Sequence, residues 1–124
     1  MAGRFFLQAR VKSFGYALKG VVTLFTEQHN ARLHGLAMVA VLLLAGVLGL
    51  EAWEWAVLVL TIAAVIAAEA LNTAVEYLAD ACMPEHHPLI AKAKDVAAAA
   101  VLLLAIAASI IALIIFCPYL LGAK

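Results

Sequence analysis

The chain has 124 residues, of which 68% are hydrophobic and 13% are charged, and its formal net charge is zero. Soluble domains are about 45–50% apolar and about 25% charged, and so short a chain has too small an interior to bury this much apolar surface. The composition therefore excludes an ordinary soluble enzyme domain, a disordered tail and a disulfide-rich secreted module, and it indicates a membrane protein. The zero net charge argues against a nucleic-acid partner, which a basic patch would indicate.

The first predicted element is an amphipathic helix over about residues 3–27. Apolar residues recur there at helical spacing, and basic residues lie among them: Arg4, Arg10, Lys12 and Lys19. An apolar face beside basic residues is typical of a helix that lies at the membrane surface. The same pattern also fits a helix that packs against another part of the protein, and the two descriptions are compatible.

Three apolar stretches follow, and each predicts a membrane-spanning helix. They cover about residues 32–50, 53–82 and 93–120. A helix needs about 20 residues to cross the hydrocarbon core. The third stretch reaches that length with apolar residues alone, whereas the second continues into polar residues. The whole chain is thus expected to form one all-α integral membrane domain.

The basic residues predict the orientation of the chain. Seven of the eight lie before the first span or between the second and third spans, and basic residues concentrate on the cytoplasmic side of a membrane. The amino terminus is therefore expected in the cytoplasm and the carboxyl terminus outside.

Polar side chains form a stripe near the end of the second span. Asn72, Glu76 and Asp80 follow Glu69 at offsets of three, seven and eleven residues, which places all four on one helical face. Glu69 lies about 21 Å along the helix from Trp55, near the inner boundary of the hydrocarbon, where a carboxylate is costly. A solvated helix end fits Asp80 well and Glu69 poorly, so we interpret the stripe as a functional site.

Carboxylates in such a stripe support two kinds of chemistry. Their oxygens are ligands for a hard divalent cation, and a poorly hydrated carboxylate can act as a general base. Lys94 and Asp95 stand just before the third apolar run, where a lysine is suited to bind nucleotide phosphates. These features favour phosphoryl transfer onto a membrane substrate. A small ion or proton conduit is the alternative, which the apolar third span disfavours.

Five segments contain recognisable motifs: 13–20 (SFGYALKG), 29–34 (HNARLH), 69–76 (EALNTAVE), 85–89 (EHHPL) and 93–101 (AKDVAAAAV). Together they resemble the prokaryotic diacylglycerol kinase family, which includes the undecaprenol kinases, over nearly the whole chain. The resemblance implies an ATP-dependent lipid kinase of the bacterial cytoplasmic membrane. It also implies a homotrimeric helical bundle with active sites between subunits. One subunit has few faces with which to shield the stripe from lipid, which also favours an oligomer.

The resemblance implies roles for individual residues. Glu69 is expected to take the proton of the lipid hydroxyl, Asn72 to order the cluster, and Glu76 to bind a divalent metal, such as Mg²⁺, that bridges the ATP phosphates. Lys94 is expected to contact those phosphates. Further nucleotide contacts are expected from Tyr16, Glu85, His87 and Asp95. His29 and His34 are interpreted as interface residues.

The chain departs from the family pattern near residue 28. The family has a second metal-binding acid where this chain has Gln28, and the nearest acid is Glu27. Either side chain is a candidate second metal ligand. Arg10 lies one position from a phosphate-contacting arginine of one branch, and Arg10 and Lys12 are expected to contact the substrate. Segment 87–95 resembles the undecaprenol kinase branch more closely. A catalytically impaired relative is the remaining alternative, and Gln28 favours it.

Overall fold

A computed structural model describes residues 2–124, with side chains from residue 6 onward, as four helices joined by short connections. The helices are α1 (Ala2–Glu27), α2 (His29–Leu48), α3 (Ala52–Cys82) and α4 (Pro88–Leu120). They correspond in order to the four elements that the sequence predicts. The side chain of Arg4, one of the basic residues of the first predicted helix, lies outside the described part of the chain.

Helices α2, α3 and α4 are long and apolar enough to cross a membrane. At 1.5 Å per residue they measure about 30, 46 and 50 Å, so α3 and α4 exceed the hydrocarbon thickness of about 30 Å. The prediction of an all-helical chain with three helices able to span a membrane is confirmed. Because α3 and α4 are longer than the bilayer core, their polar ends can extend into the adjacent aqueous layer.

Two helices begin earlier than the apolar pattern indicates. Helix α2 begins at His29, because only Gln28 separates it from α1 and has an extended backbone (φ −98°, ψ 118°). Helix α4 begins at Pro88, whose fixed φ suits the first helical position. The Nδ1 atom of His87 caps this helix by accepting the N–H of Leu89 at 3.2 Å. Apolar periodicity does not register such polar first turns.

Helix α1 turns back at Gln28 and packs against the beginning of α2. Gly35 makes this approach possible, because a Cβ atom there would lie 2.9 Å from the Phe25 ring. Farther from the turn, Phe6 and Phe14 of α1 are exposed. The junction between α1 and α2 is therefore the part of α1 that the rest of the chain holds in place.

The apolar core lies at the end of the bundle that contains the α2–α3 connection, residues 49–51, which we call the distal end. Its buried members come from the connection and all three spans: Ala45, Leu50, Leu58, Ile115 and Phe116. The opposite end, with the α3–α4 connection at residues 83–87, is called the proximal end. One face of α3 is buried from the distal to the proximal end and includes Glu54, Leu58, Val65, Glu69 and Asn72.

Candidate active site

Two buried acceptor oxygens at the proximal end have no hydrogen-bond donor among the described residues. They are Oε1 of Glu69 and Oδ1 of Asn72, and the two residues are 2% and 9% exposed. Buried polar atoms are nearly always paired in folded proteins. The arrangement is therefore suited to a ligand that brings its own donor, such as a hydroxyl group, or a cation.

Asn72 also links this pair of oxygens to the next member of the stripe. Its Nδ2 atom donates to Oε1 of Glu76 at 3.0 Å, one helical turn along α3. Since the amide nitrogen is committed to Glu76, the amide orientation is set and its carbonyl oxygen remains the open acceptor. This contact supports the expected role of Asn72 in ordering the cluster.

Glu54 shows that burial alone does not make a glutamate functional. It is 2% exposed and lies on the same face of α3. Its Oε2 accepts the Tyr119 hydroxyl and the backbone N–H of Glu51, and its Oε1 accepts the Lys124 ammonium at 2.6 Å. This hydrogen bond raises the pKa of Lys124. Both oxygens of Glu54 therefore accept hydrogen bonds from residues at the distal end. Glu69 differs because its Oε1 has no donor in the described chain.

The group closest to the open oxygen of Glu69 comes from α2. The Nε2 atom of His34 lies 3.1 Å from Glu69 Oε1, within ion-pair distance. The contact is not a hydrogen bond, because no donor is aligned on Oε1. His34 therefore lies beside the carboxylate and leaves its acceptor directions open. The sequence analysis interpreted His34 as an interface residue and did not pair it with Glu69.

Position along the helix is the signal that would have paired His34 with Glu69. His34 is the last polar residue of α2 before fourteen apolar residues and glycines, 35–48. Glu69 is the first charged residue after the apolar run of α3. Two neighbouring antiparallel spans place such boundary residues at the same depth.

Lys94 and Asp80 connect α4 to the same stripe. The Lys94 ammonium donates to Oδ1 of Asp80 at 2.6 Å. Their side chains are 36% and 67% exposed, so the pair is solvated and contributes little stability. The lysine is thus held next to the stripe by a contact that a phosphate can replace.

The two candidates for a second metal ligand both contact Tyr77. The Tyr77 hydroxyl donates to Oε2 of Glu27 at 2.6 Å and accepts the Nε2 amide of Gln28 at 3.4 Å. Among the side chains that the structure describes, no three His, Cys, Asp or Glu residues are close enough to hold a metal ion together. Tyr77 was not singled out in the sequence, because its partners lie about 50 residues away.

The remaining predicted site residues lie apart from the stripe in the described chain. Arg10, Lys12 and Tyr16 are exposed on α1, where the Lys19 ammonium lies 6.0 Å from the centroid of the Tyr16 ring. On and before α4, the exposed residues are Glu85 and Asp95, while His87 caps the helix. The hydrogen bonds and ion pairs of the described side chains do not join Arg10, Lys12 or Tyr16 to the stripe.

The fold and the site define a helical membrane protein with an open, buried acceptor pair at one end of its bundle. The chain matches the family described as prokaryotic diacylglycerol kinase over residues 15–116. It is 38% identical over 109 residues to the undecaprenol kinase of Bacillus subtilis (strain 168), which covers 88% of this chain and 89% of that protein.

Two further relatives are named diacylglycerol kinase. The one from Synechocystis sp. is 46% identical over 111 residues, which are 89% of this chain and 63% of the relative. The one from Escherichia coli (strain K12) is 32% identical over 107 residues, which are 86% of this chain and 84% of the relative. The chain belongs to the prokaryotic diacylglycerol kinase family, and it is a lipid kinase.

Proposed function

We propose that this membrane protein transfers the γ-phosphate of ATP to the hydroxyl group of a lipid alcohol, either undecaprenol or diacylglycerol, with Glu69 as the general base. The observation that supports this proposal most directly is the open Oε1 of Glu69, a buried carboxylate oxygen without a donor. A lipid hydroxyl supplies the donor that this oxygen lacks. Glu69 is near the boundary between the apolar and polar segments of α3, and its buried oxygen must become accessible for the hydroxyl to bind.

In the proposed step, Glu69 accepts the proton of the lipid hydroxyl while the hydroxyl oxygen forms a bond to the γ-phosphorus. The bond between the γ-phosphorus and the oxygen that bridges it to the β-phosphorus breaks, and its electron pair leaves with ADP. A well-placed general base contributes about 10²- to 10⁴-fold to such a rate. The burial of Glu69 also limits the access of water, which would otherwise compete with the lipid for the phosphate.

Glu76 fits the role of a ligand for a divalent cation such as Mg²⁺. Its carboxylate is half-buried and is oriented by Asn72, and Mg²⁺ is commonly held by one or two carboxylates together with substrate phosphates. A bound cation would neutralise charge on the phosphates. Glu27 and Gln28 remain candidates for a second ligand, and each could bind through Oε1, because their contacts with Tyr77 use Oε2 of Glu27 and Nε2 of Gln28.

The family resemblance supplies the rest of the proposed nucleotide and lipid contacts. Lys94 exchanges its contact with Asp80 for a phosphate, and the other nucleotide contacts come from Tyr16, Glu85, His87 and Asp95. Arg10 and Lys12 contact the lipid substrate from α1. Since Tyr16, Arg10 and Lys12 are on the exposed part of α1, their participation requires the substrate, or a second subunit, to lie between α1 and the stripe.

We also propose that the protein is a homotrimer with sites between subunits. An open groove of about 850 Å³ between α3 and α4 supports this proposal. Small residues in it allow a neighbouring helix to approach closely: Ala64, Ala67, Ala97 and Ala100. The need to shield the polar stripe from lipid supports an oligomer less strongly than the sequence suggests, because the chain's own helices already bury Glu69 and Asn72. Light scattering of the detergent-solubilised protein tests the proposal, and the mass of a single chain would contradict it.

For the orientation, we propose a cytoplasmic amino terminus, with α1 along the inner membrane surface and the carboxyl terminus outside. The concentration of basic residues before α2 and between α3 and α4 supports it. Cys82 at the proximal end of α3 and Cys117 at the distal end of α4 are both exposed. In a Cys117→Ser variant, a membrane-impermeant maleimide should therefore label Cys82 only after the membrane is permeabilised. Labelling of Cys82 in intact cells would contradict this orientation and indicate the opposite one.

The lipid-kinase proposal is tested by a lipid panel with Glu69→Gln. Purified protein in mixed micelles with Mg-ATP is expected to phosphorylate undecaprenol or diacylglycerol, and the variant should lose about 10²- to 10⁴-fold in kcat because it cannot accept the proton. Labelled lipid is the measurement. The glutamine keeps the size of the side chain, so nucleotide binding should persist.

Glu54→Gln is the matched control, because Glu54 is an equally buried glutamate on the same face of α3. It is expected to lower Tm while folded enzyme keeps its turnover. If neither lipid is phosphorylated, or if Glu69→Gln is as active as the wild type, the proposal is wrong. Nucleotide binding without turnover in the wild type would instead support the impaired relative.

A further inference from the structure

His34 is the titratable group nearest to the proposed general base in the described chain. Its Nε2 atom lies 3.1 Å from Glu69 Oε1. The Glu69 side chain is 3% exposed and the His34 side chain is 30% exposed, so the carboxylate is buried while the histidine is partly exposed. A buried carboxylate is costly without a partner, and His34 is the one residue of the described chain that forms an ion-pair contact with it.

The contact between the two side chains is close but is not a linear hydrogen bond. The Nε2 atom of His34 is within ion-pair distance of Oε1 of Glu69, yet no donor of the described residues is aligned on that oxygen. His34 therefore lies beside Oε1 and leaves its hydrogen-bonding capacity to a substrate hydroxyl.

The backbone beside His34 is packed closely against α1. The next residue, Gly35, lies so near the Phe25 ring that a Cβ atom would be 2.9 Å from it. His34 also lines a cavity of about 210 Å³ between α2, α3 and α4, whose apolar walls include Leu58 and Val65. Among the described residues, Glu69 is the one whose carboxylate forms an ion-pair contact with the His34 ring.

We propose that His34 is the positioning residue for Glu69, holding the buried carboxylate so that Oε1 faces the hydroxyl of the lipid substrate. The inference rests on the proposed function, since it assigns His34 to the base of that reaction. In this proposal His34 acts through Glu69 alone. The described contacts of Glu76 and Lys94, the residues proposed to serve the nucleotide, do not include His34.

The test compares His34→Leu, which removes the donor, with His34→Gln, which keeps one. His34→Leu is expected to lower kcat by about 10- to 100-fold, because a misplaced base loses much of its effect. The KM for ATP should stay within about twofold, since the nucleotide contacts are elsewhere. His34→Gln should recover most of kcat, because its amide N–H can face Oε1. The control is His29→Leu, an exposed histidine of the same helix, which should keep wild-type kcat.

A double-mutant cycle separates this inference from the proposed function. If His34 acts only through Glu69, then His34→Leu has no further effect in the Glu69→Gln background. Equal losses of kcat and of ATP affinity in His34→Leu, or a loss that simply multiplies that of Glu69→Gln, would overturn the positioning role. Wild-type kcat in His34→Leu beside an inactive Glu69→Gln would overturn it and leave the kinase proposal intact.

Discussion

Glu54 and Glu69 are fifteen residues apart on one buried face of α3, and each is 2% exposed. Glu54 accepts hydrogen bonds on both oxygens, from Tyr119, Lys124 and its own capping turn. Glu69 keeps Oε1 open. At the scale of the residue, the number of donors around a buried carboxylate therefore separates a structural glutamate from a candidate catalytic one, and burial does not.

Lys94 gives a prediction at the same scale. Replacing Lys94 by Ala is expected to raise the KM for ATP by about tenfold or more, because a charge-assisted hydrogen bond to a phosphate is lost. Lys92→Ala is the control, since Lys92 is an exposed lysine on the same helix. Steady-state kinetics at varied ATP measure both. Equal KM values for Lys94→Ala and the wild type would exclude a phosphate contact.

At the scale of the element, side-chain contacts hold the junction of α1 and α2 in place. Gln28 alone separates the two helices, Phe25 packs on Gly35, and Tyr77 of α3 contacts both Glu27 and Gln28. These contacts fix the end of α1 that lies closest to the stripe. They also explain how a helix with many exposed apolar residues keeps a defined position relative to the site.

Gly35→Leu tests this junction. The larger side chain overlaps the Phe25 ring, so it should displace α1 and lower the free energy of unfolding by about 1–3 kcal/mol. Gly46→Leu on the same helix is the control, because a Cβ atom there meets nothing within 4 Å. Thermal unfolding in detergent measures both variants. If the two have the same Tm, α1 is not packed against α2 at Gly35.

At the scale of the whole molecule, the two ends of the bundle differ in how their polar groups are paired. The distal end is closed by Lys124, which contacts Glu51 and Glu54 and lies over the rings of Trp53 and Tyr119. The proximal end holds the unpaired acceptors Oε1 of Glu69 and Oδ1 of Asn72. The polar groups are thus paired at the distal end, whereas two buried acceptors at the proximal end have no donor among the described residues.

Lys124→Met tests the closure of the distal end. Losing the ammonium leaves Glu54 buried without its charged partner, so Tm should fall. Because the pKa of Lys124 is raised by its hydrogen bond to Glu54, its contribution is complete below the ordinary lysine pKa of about 10.4 and declines as pH rises above it. The difference in Tm between Lys124→Met and the wild type should therefore be the same at about pH 6 and about pH 9.

Lys92→Met, at the proximal end, is the control for this substitution and should leave Tm unchanged. A Tm difference for Lys124→Met that disappears between about pH 6 and about pH 9 would contradict the ion pair with Glu54, because the raised pKa keeps Lys124 charged across that range. Kinase activity at moderate temperature should be retained, since the distal end contains none of the proposed site residues.

Sequence patterns alone predict the four helices, the three apolar spans and the single helical face shared by Glu69, Asn72 and Glu76. These features follow from local periodicity and from runs of apolar residues, which each segment contains independently of the others. The first turns of α2 and α4 escaped this reasoning because capping by His87 and a single extended residue set them, and neither alters an apolar pattern.

The pairing of polar groups, by contrast, depends on how the helices pack in three dimensions. Glu54 meets Lys124 across 70 residues of chain, and Tyr77 meets Glu27 across 50. His34 meets Glu69 from a different helix. Each partner is brought into place by the packing of one helix against another, whereas periodicity reports only the face on which a side chain lies. The open acceptor of Glu69 is what remains after all these pairs have formed.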